Sequence, residues 1–289
     1  MDTRFLKTLL NVIETGSISQ TARRMNITPS AVVQRVKALE DEIGHALLQR
    51  SGHTMRASPA AIAARDYMLQ LLQAESNLIA AAGSRFDAGL LRVGVVQSVL
   101  NGMLPAILQG LQQDFPKIEL RIINDVSSML YERVMARDID LAIISRPRFR
   151  LSKDADWSCL RREKAILLTP HDMAGSDPLA LIRSEPMIRY DRNYWSGHMV
   201  DVWLRKKKLQ VRELYELNSL DAIALLVSRG MGVSVVPDWM PPWPQGVRLR
   251  KFSLPDAPER EIGIMWSRAS TNLPLVKTFV DQAHRVTTG

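Results

Sequence analysis

The stretch Gly16-Ser17-Ile18-Ser19-Gln20-Thr21-Ala22-Arg23-Arg24-Met25-Asn26-Ile27-Thr28-Pro29-Ser30-Ala31-Val32-Val33-Gln34-Arg35-Val36-Lys37 decides the N-terminal fold. Before it, Phe5, Leu6, Leu9, Leu10 and Ile13 make an apolar stripe at the helical period, and Gly16 ends that helix. Ser17 caps a second helix running through Ala22 and Met25. After Asn26-Ile27, Thr28 supplies a capping hydroxyl and Pro29 the first residue of a third helix. Two helices a tight turn apart make a helix-turn-helix. In the third helix Val32, Val36 and Leu39 share one face, which leaves Ser30, Val33, Gln34 and Lys37 on other faces and Arg35 near the edge.

Residues 50–58, with Gly52 between Arg50 and Arg56, suit a hairpin wing beside the third helix. From Pro59 to about Gly83 there is no internal Gly or Pro. Ala60, Ala64, Tyr67, Leu71, Ala74, Leu78 and Ala81 recur at alternating steps of four and three, a coiled-coil spacing that predicts pairing with a second copy. The competing reading is an Ala-rich helix lying on its own domain. A boundary is expected at Ser84–Gly89. Beyond it, strand-like runs (Leu91–Val96, Ile118–Ile123, Leu141–Ile144, Ile166–Thr169, Val233–Val236) alternate with helix-like ones (Met103–Phe115, Met129–Arg137, Met199–Lys208, Leu220–Arg229, Leu275–His284). The fold class is therefore α/β with a parallel sheet, preceded by an all-α part, and the α/β portion is long enough for two lobes.

The formal net charge of the 289 residues is +8, but residues 1–88 carry only +2 of it, so charge alone locates no nucleic-acid surface. Cys159 is the sole cysteine, and His45, His53, His171, His198 and His284 show no paired spacing, so neither a disulfide nor a structural metal is expected. No apolar run reaches the ~18 residues of a membrane span, and Met1-Asp2-Thr3-Arg4 does not open a signal peptide, so a cytoplasmic location is expected. No Gly-x-Ser-x-Gly, phosphate-binding glycine loop or ligand cluster appears, so an enzyme is not expected and no cofactor is called for. The rival reading is a two-lobed small-molecule-binding protein or enzyme without a DNA role. A transport protein of that kind would have no use for residues 1–83.

Gly16-Ser17-Ile18-Ser19, Thr21-Ala22, Thr28-Pro29-Ser30-Ala31-Val32, Leu39-Glu40, Ile43-Gly44 and Leu47-Leu48-Gln49-Arg50 resemble the LysR-type transcriptional regulator family. Leu91-Arg92-Val93-Gly94 with Leu104-Pro105, Asp140-Leu141-Ala142-Ile143, and Gly230-Met231-Gly232-Val233 with Pro237 continue the resemblance in order over nearly the whole chain. The resemblance implies a winged helix-turn-helix over 1–58, a dimerisation helix and hinge over 59–89, and a periplasmic-binding-protein-like effector domain over 90–289. The two lobes are expected at about 90–165 plus 238–289 and at about 166–237. It also implies a homodimer that assembles to a homotetramer on promoter or operator DNA. The chain departs from the family at Val33, usually serine; at Leu48, usually phenylalanine; and at Ala61, usually glycine.

As DNA readers, Gln34 has the geometry to bond adenine N6 and N7 together, and Val33 to touch a thymine methyl, with Thr28 and Pro29 bordering them. Ser30, Arg35, Lys37 and Arg50 suit phosphate, although Arg35 has Glu40 and Asp41 as alternative partners. Effector contacts are expected just past the strands of the first lobe, at Gln97, Ser98, Ser127, Ser145 and Arg146. Ser98 and Ser127 could equally be ordinary helix caps. In the second lobe, Tyr190, Tyr194 and Trp195 are expected either to flank the effector or to pack between strand and helix. Hydroxyls, helix starts and Arg146 favour a small organic anion, a carboxylate. Tyr67, Leu71, Ala74 and Leu78 are the candidate dimerisation residues.

Overall fold

The computed structural model describes residues 1–52, 54–82 and 88–288 and divides into two compact units, Met1–Phe86 and Asp87–Gly289. His53, the side chain of Ala81 and most of the boundary expected at Ser84–Gly89 lie outside the described residues.

The first unit opens with three helices, α1 (Thr3–Thr15), α2 (Ile18–Arg24) and α3 (Pro29–Ile43). A two-stranded hairpin, β1 (Leu48–Ser51) and β2 (Thr54–Ala57), and the long helix α4 (Pro59–Ala82) complete it. The local signals act as their chemistry requires. Gly16 ends α1 in the left-handed conformation at φ 65°, where a side chain would be strained, and its carbonyl accepts a 2.8 Å bond from Met55 N that ties the hairpin to the α1–α2 turn. Ser17 accepts from Gln20 N at the start of α2, and Thr28 accepts from Ala31 N at 3.2 Å at the start of α3. Thr28→Ala should cost about 1 kcal/mol. Hydrogen exchange at Ala31 N–H should then speed about fivefold; unchanged exchange would show that Pro29 alone sets the helix start.

Leu6, Leu9, Val12, Val32, Val36, Leu39 and Leu47 form the core of this unit, with Ala61 and Met68 of α4 buried against them. The start of α4 lies on its own domain, as the competing reading has it. Ala60 and Ala64, the first two positions of the stripe, pack on the domain's own core, whereas Tyr67, Leu71, Ala74 and Leu78 are exposed.

The second unit runs β3 (Ala88–Val95), α5 (Gln97–Asn101), α6 (Leu104–Asp114), β4 (Lys117–Asn124), α7 (Ser127–Met135), β5 (Leu141–Ser145) and β6 (Ala155–Pro170). It continues through α8 (Pro178–Ser184), β7 (Pro186–Tyr190), α9 (Trp195–Lys206), β8 (Arg212–Leu217), α10 (Leu220–Ser228) and β9 (Ser234–Pro237). Strands β10 (Leu249–Ser253) and β11 (Glu259–Ser267) and helix α11 (Leu273–Thr288) complete it.

The 16-residue β6 serves two sheets. Its first part pairs with β11, which continues through β5 and β3 to β4 in the first lobe. Its last residues pair with β9 and β10 in the second lobe, where β7 and β8 lie beyond β9 through a Met187–Val233 bridge.

Two expectations are corrected here. Among the described residues of this unit, pairing is parallel only for β3 with β4 and β5, for β7 with β8, and at the Met187–Val233 bridge; the pairings of β6 with β9, β10 and β11 and of β11 with β5 are antiparallel, so the sheet is mixed. The chain also returns to the first lobe later than residue 238. Strand β10 adds to the second-lobe part of β6, and Trp239, Leu249, Phe252 and Leu254 pack in second-lobe clusters, so the crossing is made by β11.

Candidate functional sites

On the first unit, Thr28, Pro29, Ser30, Val33, Gln34 and Lys37 all lie exposed on α3 or at its cap, because burial of Val32, Val36 and Leu39 turns the opposite faces outward. A helix that presents its first turns in this way has the shape that enters a major groove. Arg50 is exposed on β1, its Nε donating to the Gly52 carbonyl at 3.2 Å. Arg35 is set apart. It is half-buried and donates to Thr8 Oγ1 at 3.4 Å, and it pairs with neither Glu40 nor Asp41. Glu40 is instead taken up by the backbone, accepting from Leu47 N at 2.6 Å and Leu48 N at 3.0 Å where the wing begins.

In the second unit a cavity of about 370 Å³ lies between the lobes, within the size range of small-molecule sites. Helices α5 and α7 of the first lobe and α9 and α10 of the second begin at its wall, as the carboxyl ends of strands in such sheets dictate. At α7 and α9 the capping positions, Val126 and Tyr194, make no side-chain bond to the helix, so the first N–H groups stay open toward the cavity. The start of α9 is held tightly against the preceding turn: a Cβ on Gly197 would sit 1.9 Å from the Asp191 carbonyl oxygen.

Arg260 of β11 crosses the floor of the cavity. It stands opposite Glu163 in the β11–β6 register, and its Nε donates to Glu163 Oε2 at 2.7 Å, with both side chains buried. Its other nitrogens donate to one serine from each lobe, Nη2 to Ser98 Oγ and Nη1 to Ser196 Oγ, each at 3.2 Å. Ser127 Oγ accepts from Ser145 N at 3.2 Å. Because the Ser98 and Ser127 oxygens are used as acceptors, their hydroxyl protons remain available to a ligand oxygen. Neither serine is a helix cap. Across the cavity mouth, Asn101 of the first lobe donates to Asp221 of the second at 2.8 Å.

Family models account for both units. The bacterial regulatory helix-turn-helix model of the lysR family matches residues 3–62, and the LysR substrate binding domain matches residues 84–288. The chain belongs to the LysR family of transcriptional regulators.

This LysR-type regulator is a DNA-binding transcription factor and not an enzyme, as its relatives are. It is 24% identical to the HTH-type transcriptional activator IlvY of Salmonella typhimurium over 96% of this chain and 98% of that one. It is 26% identical to the HTH-type transcriptional regulator CzcR of Bacillus cereus over 82% and 80% of the two chains. Among solved structures, a cysteine mutant of Corynebacterium glutamicum OxyR shares the fold at a TM-score of 0.70, with 20% identity, covering 99% of this chain and 92% of that one. Full-length CbnR, solved in complex with its target DNA, does so at 0.66 with 18% identity, covering 99% and 100%.

Of the effector residues expected from the sequence of this LysR-type regulator, the fold gathers Gln97, Ser98, Ser127, Ser145, Tyr190, Tyr194 and Trp195 around the cavity. Arg146 is not among them. It follows Ser145 and binds Glu261 of β11 at 2.8 Å, with its guanidinium 5.8 Å from the Trp157 ring, in an adjoining hollow of about 230 Å³ that shares Ser145, Trp195, Ser196 and Arg260 with the cavity.

The aromatic segment both lines the cavity and packs against neighbouring rings. Trp195 borders the cavity and also packs edge-on against Phe149 and Tyr131, with ring centroids 5.7 and 6.4 Å away. The Tyr194 hydroxyl accepts from Asn218 at 3.2 Å, and burial pushes the Tyr190 phenol above its ordinary range, so it stays protonated.

Sequence reading missed Arg260, Glu163, Ser196, Asp125 and Asp221. The rule that singled out Gln97 and Ser145, polar residues just past an apolar strand, applies equally to Asn124-Asp125 after β4. Nothing local marks Arg260, whose partner Glu163 is 97 residues away. Among the described residues no helix is long and apolar enough to cross a membrane, and no group of three or more His, Cys, Asp or Glu side chains stands together as metal ligands.

Proposed function

We propose that this regulator acts in the cytoplasm as a dimer that assembles to a tetramer, and that a small organic carboxylate taken up between the effector lobes changes its grip on operator DNA. The observation that carries the effector reading is the pair of uncapped helix starts at α7 and α9, facing one cavity from opposite lobes with the Ser98 and Ser127 hydroxyl protons beside them. A ligand held by both lobes favours one lobe arrangement, and it shifts DNA binding only through unequal affinity for the two states. Ser127→Ala removes a donor to a charged oxygen, worth about 1.5–3 kcal/mol, and should weaken effector binding by roughly ten- to a hundredfold in calorimetric titration. An unaltered affinity would remove the carboxylate from the start of α7.

For DNA, Gln34 is the base reader and Val33 its apolar neighbour, while Ser30, Lys37 and Arg50 hold phosphate. Arg35, engaged with Thr8, serves to seat α3 on α1. Gln34→Ala should cost about 1–3 kcal/mol at particular base pairs of the operator and leave random DNA nearly unaffected. Equal losses on operator and random sequence would make Gln34 a backbone contact.

A further inference from the structure

The charges around the inter-lobe cavity do not match a simple anion. Among the described residues Arg260 is the only basic side chain in its wall, and that guanidinium is already neutralised by buried Glu163 and occupied by two serine hydroxyls. Two carboxylates also line the wall, Asp125 from the first lobe and Asp221 from the second. Among the described residues neither has a Lys, Arg or His partner: Asp125 accepts from Val126 N at 2.8 Å and Asp221 from the Asn101 amide. The wall is completed by the rings of Tyr190, Tyr194, Trp195 and Trp239, whose π faces attract cations. The cavity thus offers open helix N–H groups and hydroxyl donors to a carboxylate, and carboxylates and aromatic faces to a cation.

We propose that the effector is a zwitterionic amino-carboxylate, its carboxylate at the helix starts and serine hydroxyls and its ammonium group facing Asp125 and Asp221 beside the aromatic rings. This deepens the effector reading above and rests on it. A dicarboxylate of the same length would bring a second negative group toward two carboxylates that have no counter-ion, and a plain alkanoate would leave them unanswered.

The test is thermal-shift and calorimetric titration of the full chain with three matched probe sets. These are α- and ω-amino acids, the alkanoates of the same carbon number, and the corresponding dicarboxylates. At least one amino-carboxylate should bind, and its alkanoate and dicarboxylate counterparts should bind at least ~10-fold more weakly. Asp221→Asn and Asp125→Asn, near-isosteric changes that keep an acceptor oxygen, should each weaken the amino-carboxylate about tenfold and bring its preference over the alkanoate to within about threefold. An alkanoate or dicarboxylate that binds as tightly as its amino counterpart would leave a carboxylate effector standing and overturn the zwitterion. Undiminished preference in both variants would overturn it as well. No binding by any of the three sets would overturn the zwitterion and the carboxylate effector together.

Discussion

Replacing Arg260 by alanine should lower the stability of the effector unit by about 3–5 kcal/mol, because it leaves the Glu163 carboxylate buried without its main counter-ion. Arg161 Nε lies 3.3 Å from the other Glu163 oxygen but makes no hydrogen bond, so it does not compensate in full. The loss has a clean readout: all six tryptophans fall between Trp157 and Trp266, so tryptophan fluorescence in a urea titration follows this unit alone. Glu163→Gln should also destabilise, since it strands the guanidinium instead. Replacing both residues with apolar ones of similar volume should recover much of the loss, because a buried ion pair repays little beyond its own desolvation. If Arg260→Ala shifted the midpoint by less than about 1 kcal/mol, water would have to reach Glu163, and Arg260 would not be the fixed floor of the cavity.

The second large effect is expected at α4. If α4 pairs as proposed, Leu71→Glu together with Leu78→Glu should turn a dimer into a monomer at micromolar concentration and weaken operator binding by about 10²–10⁴-fold, since two half-site contacts would no longer be joined. In the single chain Leu71 is 44% exposed and both Tyr67 and Leu78 are 70% exposed, on a helix whose Ala61 and Met68 are already committed to the domain core. These exposed apolar side chains form the face that the proposed pairing would cover. Glutamate is a good helix former, so the substitutions should leave circular dichroism unchanged while sedimentation changes. Unchanged sedimentation of a fragment ending near Arg85 would show that these residues do not form the seam.

By itself the sequence determined the elements whose causes lie within a few residues. The period of Leu6, Leu9 and Val12, the left-handed stop at Gly16 and the caps at Ser17 and Thr28 with Pro29 each depend on neighbours one helical turn away, and so they are written locally. The same holds for Ser98, Ser127 and Ser145, because a strand end can be read from where an apolar run stops. Tertiary structure decided what depends on distant partners. The middle of β6 carries Arg161-Arg162-Glu163-Lys164 and β11 opens with Glu259-Arg260-Glu261, charged runs that suppress a strand reading until their side chains pair across the two strands. That pairing carries β6 and β11 from one lobe into the other, sets Arg260 in the cavity wall and leaves Arg146 with Glu261 in the adjoining hollow. The charge balance of the cavity belongs to the tertiary fold for the same reason. Asp125 and Asp221 are 96 positions apart, and only the folding of two lobes around one cavity brings them to the same wall.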